Sequence, residues 1–133
     1  MTDKHQYLSP EWVAEAERRL RASLTPDKMK SLTSSMLTIY HDCPDGQERV
    51  LYYRLVNGVV EEVSLQENNL PRAEFTIIAD YETFAQISRA ELKARAALMS
   101  GKMTLKGNLV KALRLAPVVD RLNEVLATIP TEY

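Results

Sequence analysis

Apolar and polar positions along this chain follow two rhythms, one near 3.6 residues and one of two, and the changes between them mark the elements. Trp12, Val13, Ala16, Leu20 and Leu24 recur at helical spacing. Ahead of them, Leu8-Ser-Pro-Glu offers Ser9 as a cap, Pro10 at the first helical position and Leu8 to staple onto Val13. This predicts a helix that packs on a sheet. Thr25-Pro26-Asp27 ends it, and the Thr-Pro pairing predicts a short second helix through Leu32. From Ser34 to Asp42 the period is two, with Leu37 and Ile39 on one face and Met36, Thr38 and Tyr40 on the other. Pro44-Asp45-Gly46 turns the chain into a strand from Arg49 to Val56, and Asn57-Gly58 predicts a type I′ hairpin returning from Val59 to Glu67.

A regular hairpin of this kind pairs Arg54 with Glu61 and Tyr53 with Glu62, which puts Glu62 on the face of Leu51, Leu55 and Val60. Two readings follow. In one, a β-bulge at Glu61-Glu62 turns both carboxylates outward and lets Val60, Val63 and Leu65 share a face. In the other, Glu62 enters the interior, its pKa rises through desolvation, and it bonds Tyr53 or the polar head of a ligand. Further on, Phe75, Ile77 and Ala79 form the apolar face of a fourth strand, and Asp80 caps a helix carrying Tyr81, Phe84 and Ile87. Arg89, Glu91 and Lys93 mark that helix's end. Ala94 to Met99 predicts a helical turn stopped at Gly101, where a residue without Cβ takes the left-handed conformation most cheaply. Met103 and Leu105 then alternate with polar neighbours as a fifth strand, and Asn108 caps a helix with Leu109, Ala112 and Leu113 on one side. Ala116-Pro117 starts a last helix with a wide stripe of Val118, Val119, Leu122, Val125, Leu126 and Ile129. No internal repeat interrupts this order.

A chain of 133 residues, 45% hydrophobic and 26% charged, is expected to form one domain with a sizeable core. A net charge of −1 excludes a whole-chain drive toward nucleic acid. The polar start Met-Thr-Asp-Lys-His-Gln and the lack of any apolar run near ~18 residues point to a cytoplasmic protein. The single Cys43 excludes an intramolecular disulfide. His41-Asp42-Cys43 holds the residue types of a nucleophilic site, but neighbouring strand residues face opposite ways and cannot converge. His41, Cys43 and Asp45 lack a nearby fourth ligand for a metal. Gly101 and Gly107 match no phosphate-binding spacing and are turn glycines. Charge is uneven. Between Arg89 and Arg121 stand eight basic and two acidic side chains.

Two blocks resemble a known family: Ala73-Glu-Phe-Thr-Ile followed by Tyr81 and Phe84, and Met99-Ser-Gly-Lys-Met-Thr-Leu-Lys-Gly-Asn followed by Lys111-Ala-Leu-Arg-Leu. The chain is similar here, and in its order of elements, to the sterol-carrier-protein domain family, or nonspecific lipid-transfer proteins. The resemblance implies an α+β fold, a mixed and mostly antiparallel sheet of about five strands covered by helices. It also implies an apolar tunnel for fatty acids, acyl-CoA esters, sterols or phospholipids, with no metal or redox cofactor. Periodicity alone makes the apolar positions a core. The resemblance makes Phe75, Ile77, Phe84, Ile87, Met99 and Met103 tunnel lining. It adds Leu105, Leu109, Leu113, Leu122 and Leu126, and the hairpin face adds Leu51, Tyr53 and Leu55. At Glu62 the chain departs from the family, which usually has an apolar residue there. The expected function is non-covalent binding and transfer of a hydrophobic ligand. Two alternatives stand beside it: an enzyme using an inward Glu62 and Tyr53 pair, or a ligand-free interaction or dimerisation domain. Lys102, Lys106, Lys111 and Arg114 either face solvent or meet anionic head groups and membranes at the tunnel mouth.

Overall fold

The computed structural model describes residues 4–133, so residues 1–3 of the polar start lie outside it. In chain order, β1 (His5–Gln6) leads into α1 (Pro10–Ser23), followed by β2 (Ser34–His41), β3 (Arg49–Val56) and β4 (Val59–Gln66). Then come β5 (Phe75–Asp80), α2 (Tyr81–Ser88), α3 (Ala94–Met99) and β6 (Thr104–Lys106). The chain continues through α4 (Leu109–Arg114), α5 (Ala116–Leu126) and β7 (Thr131–Glu132). Five strands form one sheet in the order β4-β3-β2-β5-β6, parallel only between β2 and β5. The expected mixed α+β architecture is therefore present.

Register decides which side chains face the helices. Met36 lies opposite Tyr53 and Phe75, Thr38 opposite Leu51 and Ile77, and Ile77 opposite Leu105, so these share one face. The main core forms between that face and α1, α2 and α5. The other face carries a smaller cluster of Leu37, Val50 and Tyr52, with Ile39 and Ala73 packed beside it and no helix residue in it. Caps follow the sequence closely. Ser9 accepts from the Trp12 N–H at 3.1 Å, Asp80 from Thr83 at 2.8 Å and Asn108 from Lys111 at 3.0 Å.

The hairpin holds the informative correction. Asn57 and Gly58 both have positive φ, as a type I′ turn requires, and Leu55 pairs with Val60. The register then shifts, so Arg54 faces Glu62, Tyr53 faces Val63, and the regular pairing of Arg54 with Glu61 does not occur. The bulge frees backbone groups that α1 satisfies. Arg21 donates to the Val60 and Glu61 carbonyls at 2.8 and 2.6 Å, while Glu17, ion-paired to Arg21, accepts from the Val63 N–H at 3.2 Å. Val60 and Val63 are buried on the inner side.

Residues 26–31 form turns rather than the expected helix, with Lys30 and Ser31 left-handed. Thr25 still starts one helical turn, its Oγ1 accepting from the Lys28 N–H at 3.3 Å and its carbonyl from the Met29 N–H at 3.0 Å, but the turn goes no further because the segment is moulded to the hairpin tip. The Gly58 N–H donates to the Leu32 carbonyl at 2.7 Å and the Asn57 N–H to Thr33 Oγ1 at 2.9 Å. A Cβ on Gly58 would lie 2.7 Å from the Pro26 Cα, at a φ of +80°. Gly58→Val is therefore expected to cost ~2–4 kcal/mol, combining left-handed strain with overpacking, and to lower the urea midpoint. An unchanged midpoint would show that the tip does not bear on this turn.

At the termini, β1 and β7 pair in parallel, and the Trp12 indole N–H donates to Thr131 Oγ1 at 3.0 Å. Among the described residues, no helix is long and apolar enough to cross a membrane.

Candidate functional site

The inner sheet face and the C-terminal helices do not close completely, leaving two small cavities of about 50 and 70 Å³. They share a wall of Met36, Ile77, Ala94, Met103 and Val119. Thr38, Tyr40 and Tyr53 border the first from the sheet, while Phe84, Ile87, Leu122 and Leu126 border it from α2 and α5. Phe75, Leu105, Leu98, Leu113 and Leu115 border the second, with Arg95 at its edge. At ~30 Å³ per water the two spaces hold only a few water-sized volumes. A long hydrocarbon chain fits only if the short helices part from the sheet.

The cover is lightly built at α4. No residue of α4 is buried, and its link to the sheet edge is the ion pair of Lys111 with Glu74, whose other carboxylate oxygen accepts from Ser34 Oγ at 2.5 Å. Lys111 first, then Ser34, holds the Glu74 carboxyl below its usual range. Gly107, just before α4, passes so close to Phe75 that a Cβ would lie 2.8 Å from its ring. This close approach seats the loop against the second cavity.

Ten residues expected at the tunnel border these spaces: Tyr53, Phe75, Ile77, Phe84, Ile87 and Met103, with Leu105, Leu113, Leu122 and Leu126. Leu51 and Leu55 are core residues that border neither. Met99 and Leu109 depart further, being 69% and 50% exposed. In α3 Ala94, Arg95 and Leu98 border the second cavity, while Met99, the last residue of this short helix, borders neither. In α4, Ala112 and Leu113 line the cavity, while Leu109 sits at the helix's first position, where the same face runs out into solvent.

Glu62 does not enter the interior. Its carboxylate accepts from the Ser64 hydroxyl at 2.6 Å on the strand face shared with Arg54. The bulge sends the pattern's apolar residues inward in its place. Lys102, Lys106 and Arg114 are exposed and form no ion pair among the described residues, whereas Lys111 is committed to Glu74. His41 pairs with Glu48 at 2.7 Å and the Cys43 thiol donates to the Tyr40 carbonyl at 3.5 Å, so no catalytic convergence forms there. Burial pushes that thiol's pKa up.

Several lining residues escaped the sequence reading. Met36, Thr38 and Tyr40 were legible as one face of β2, but only strand pairing shows that this face looks onto the helices. Tyr7, Ser88 and Asn123 carried no periodic signal that separates a cavity wall from surface.

Fold and cavities together define an α+β domain with a small apolar space between a mixed five-stranded sheet and a cover of short helices. The chain belongs to the SCP-2 sterol transfer family, whose model matches residues 15–120. Its structure is similar to the crystal structure of sterol carrier protein 2, with a TM-score of 0.79 at 22% identity over 93% of this chain and 99% of that one. A conserved hypothetical protein from Thermus thermophilus gives 0.77 at 22% identity, covering 98% and 94% of the two chains. Palmitated SCP2L2 from Aedes aegypti gives 0.59 at 19% identity, covering 94% and 100%. No curated protein sequence matches the chain.

Proposed function

We propose that this chain works as one lipid-binding unit in the cytoplasm, taking up and handing over a long-chain hydrophobic molecule without transforming it. The observation that carries this reading is the pair of apolar cavities sharing one wall beneath helices that are weakly tied to the sheet. Family membership and the palmitated relative support it. Burying a 16-carbon chain would contribute on the order of 10 kcal/mol at ~0.8 kcal/mol per CH₂. Lost ligand freedom and the opening of the cover subtract from that. What is left suffices for a carrier with no catalytic group. An enzyme built on the Glu62 and Tyr53 pair would need both side chains facing the ligand, and Glu62 lies on the outer side of the bulge.

Loading is proposed to occur at anionic lipid surfaces, through Lys102, Lys106 and Arg114 around the exposed Met99, Leu109 and Val110. Mass spectrometry of a chloroform extract from natively purified protein tests the carrier reading. A long-chain lipid in near-equimolar amount is the expected result. An empty extract, together with failure to bind a fluorescent fatty acid, would leave a ligand-free interaction domain.

A further inference from the structure

The two cavities differ in polarity at their far ends, and the difference bears on which molecule fits. Tyr7, Tyr40 and Tyr53 stand at the first cavity with Thr38, Ser88 and Asn123. Tyr7 is the hub of this end. Its ring meets Trp12, Tyr40 and Tyr133 at centroid distances of 4.9, 6.1 and 4.8 Å. Tyr133 donates to Ser88 Oγ at 2.9 Å, and Tyr7, Tyr40 and Tyr53 border the same end of the cavity.

Tyr7, Thr38, Tyr40, Tyr53 and Ser88 each bring a hydroxyl to the lining of this cavity, a group that can both donate and accept. Among the described residues, no Lys, Arg, His, Asp or Glu lines this cavity. The charged residue bordering the second cavity is Arg95. Burial raises the pKa of Tyr7, Tyr40 and Tyr53, so these groups stay neutral and serve as donors and acceptors. A carboxylate at that end would be desolvated with no counter-charge, a heavy penalty for a buried ion. An alcohol or ketone oxygen would meet these neutral donors and acceptors at no such cost.

Building on the carrier reading above, we propose that the tyrosine end is a head-group site for an uncharged oxygen, so that aliphatic alcohols or ketones enter oxygen-first. Fatty acids lie the other way round, with the carboxylate at the Arg95 edge.

Hexadecanol and hexadecanoate are the probes, each displacing a fluorescent fatty acid from delipidated protein. Tyr53→Phe and Tyr40→Phe keep the ring and remove one hydroxyl. Each is expected to weaken hexadecanol about tenfold and to leave hexadecanoate within about twofold. Orientation has its own readout in the parent protein, because Trp12 is the one tryptophan of the chain and its ring touches Tyr7. Terminally brominated hexadecanoate should quench it, and terminally brominated hexadecanol should not. Equal losses for both ligands in the Phe variants, or equal quenching by both brominated chains, would overturn the head-group site while leaving the carrier intact. If neither probe binds the parent protein, the carrier reading falls and this proposal with it.

Discussion

Leu122→Trp is expected to abolish binding of a fluorescent fatty acid while the fold persists. Leu122 is 4% exposed and borders the first cavity from the middle of α5. An indole brings about six more heavy atoms than an isobutyl group, more than a space of about 50 Å³ can take without displacing its walls. Overpacking should cost ~1–3 kcal/mol, a tolerable part of the stability of a domain of this size. Leu113→Trp makes a gentler companion, since Leu113 is half-buried at the second cavity and its larger ring can lean outward while still blocking the space. Affinity for the probe should fall more than tenfold in both variants, with circular dichroism and the cooperative melt retained. If both bind like the parent protein, the ligand sits elsewhere.

What the sequence disclosed, and what it withheld, follows from the range of the forces involved. Asn57-Gly58, Asp80 and Asn108 act within three or four residues, and each does in the structure what its local chemistry dictates. The bulge after the hairpin is different in kind. Local pattern allowed either register, and the choice is stabilised by Arg21 and Glu17, which reach the strand from a helix some 40 residues earlier. The same holds for residues 26–31, where the helical turn started at Thr25 is cut short by the hairpin tip. Within the site, long stripes such as that of α5 pointed inward correctly, because several residues vote for one face. Six-residue helices offer too few votes. Met99 and Leu109 read as lining because one apolar residue at a helix end cannot show which way its helix is turned.

That misreading gives the surface its meaning. Met99, Leu109 and Val110 are three of the five exposed large hydrophobic residues among the described residues, and all belong to the helices that cover the second cavity. Exposed Lys102, Lys106 and Arg114 lie in the same stretch of chain, between α3 and the end of α4. Apolar groups that can dip into a bilayer, flanked by cations, match an anionic lipid surface better than they match bulk water. The triple variant Lys102→Glu, Lys106→Glu, Arg114→Glu is expected to lose co-sedimentation with phosphatidylserine-containing vesicles at low salt. At ~1 kcal/mol per basic residue near a charged membrane, removing three cations costs on the order of 3 kcal/mol, and the new carboxylates add repulsion. The parent protein should detach as salt shortens the Debye length below ~10 Å. Lys111 is left unchanged because its ion pair with Glu74 holds α4 in place, and altering it would confound docking with opening. Leu109→Ser with Val110→Ser separates insertion from attraction: weaker binding that persists at high salt in the parent protein, but not in this variant, would mark the apolar part. Equal sedimentation of the triple variant and the parent protein at low salt would reduce these cations to a solvated face.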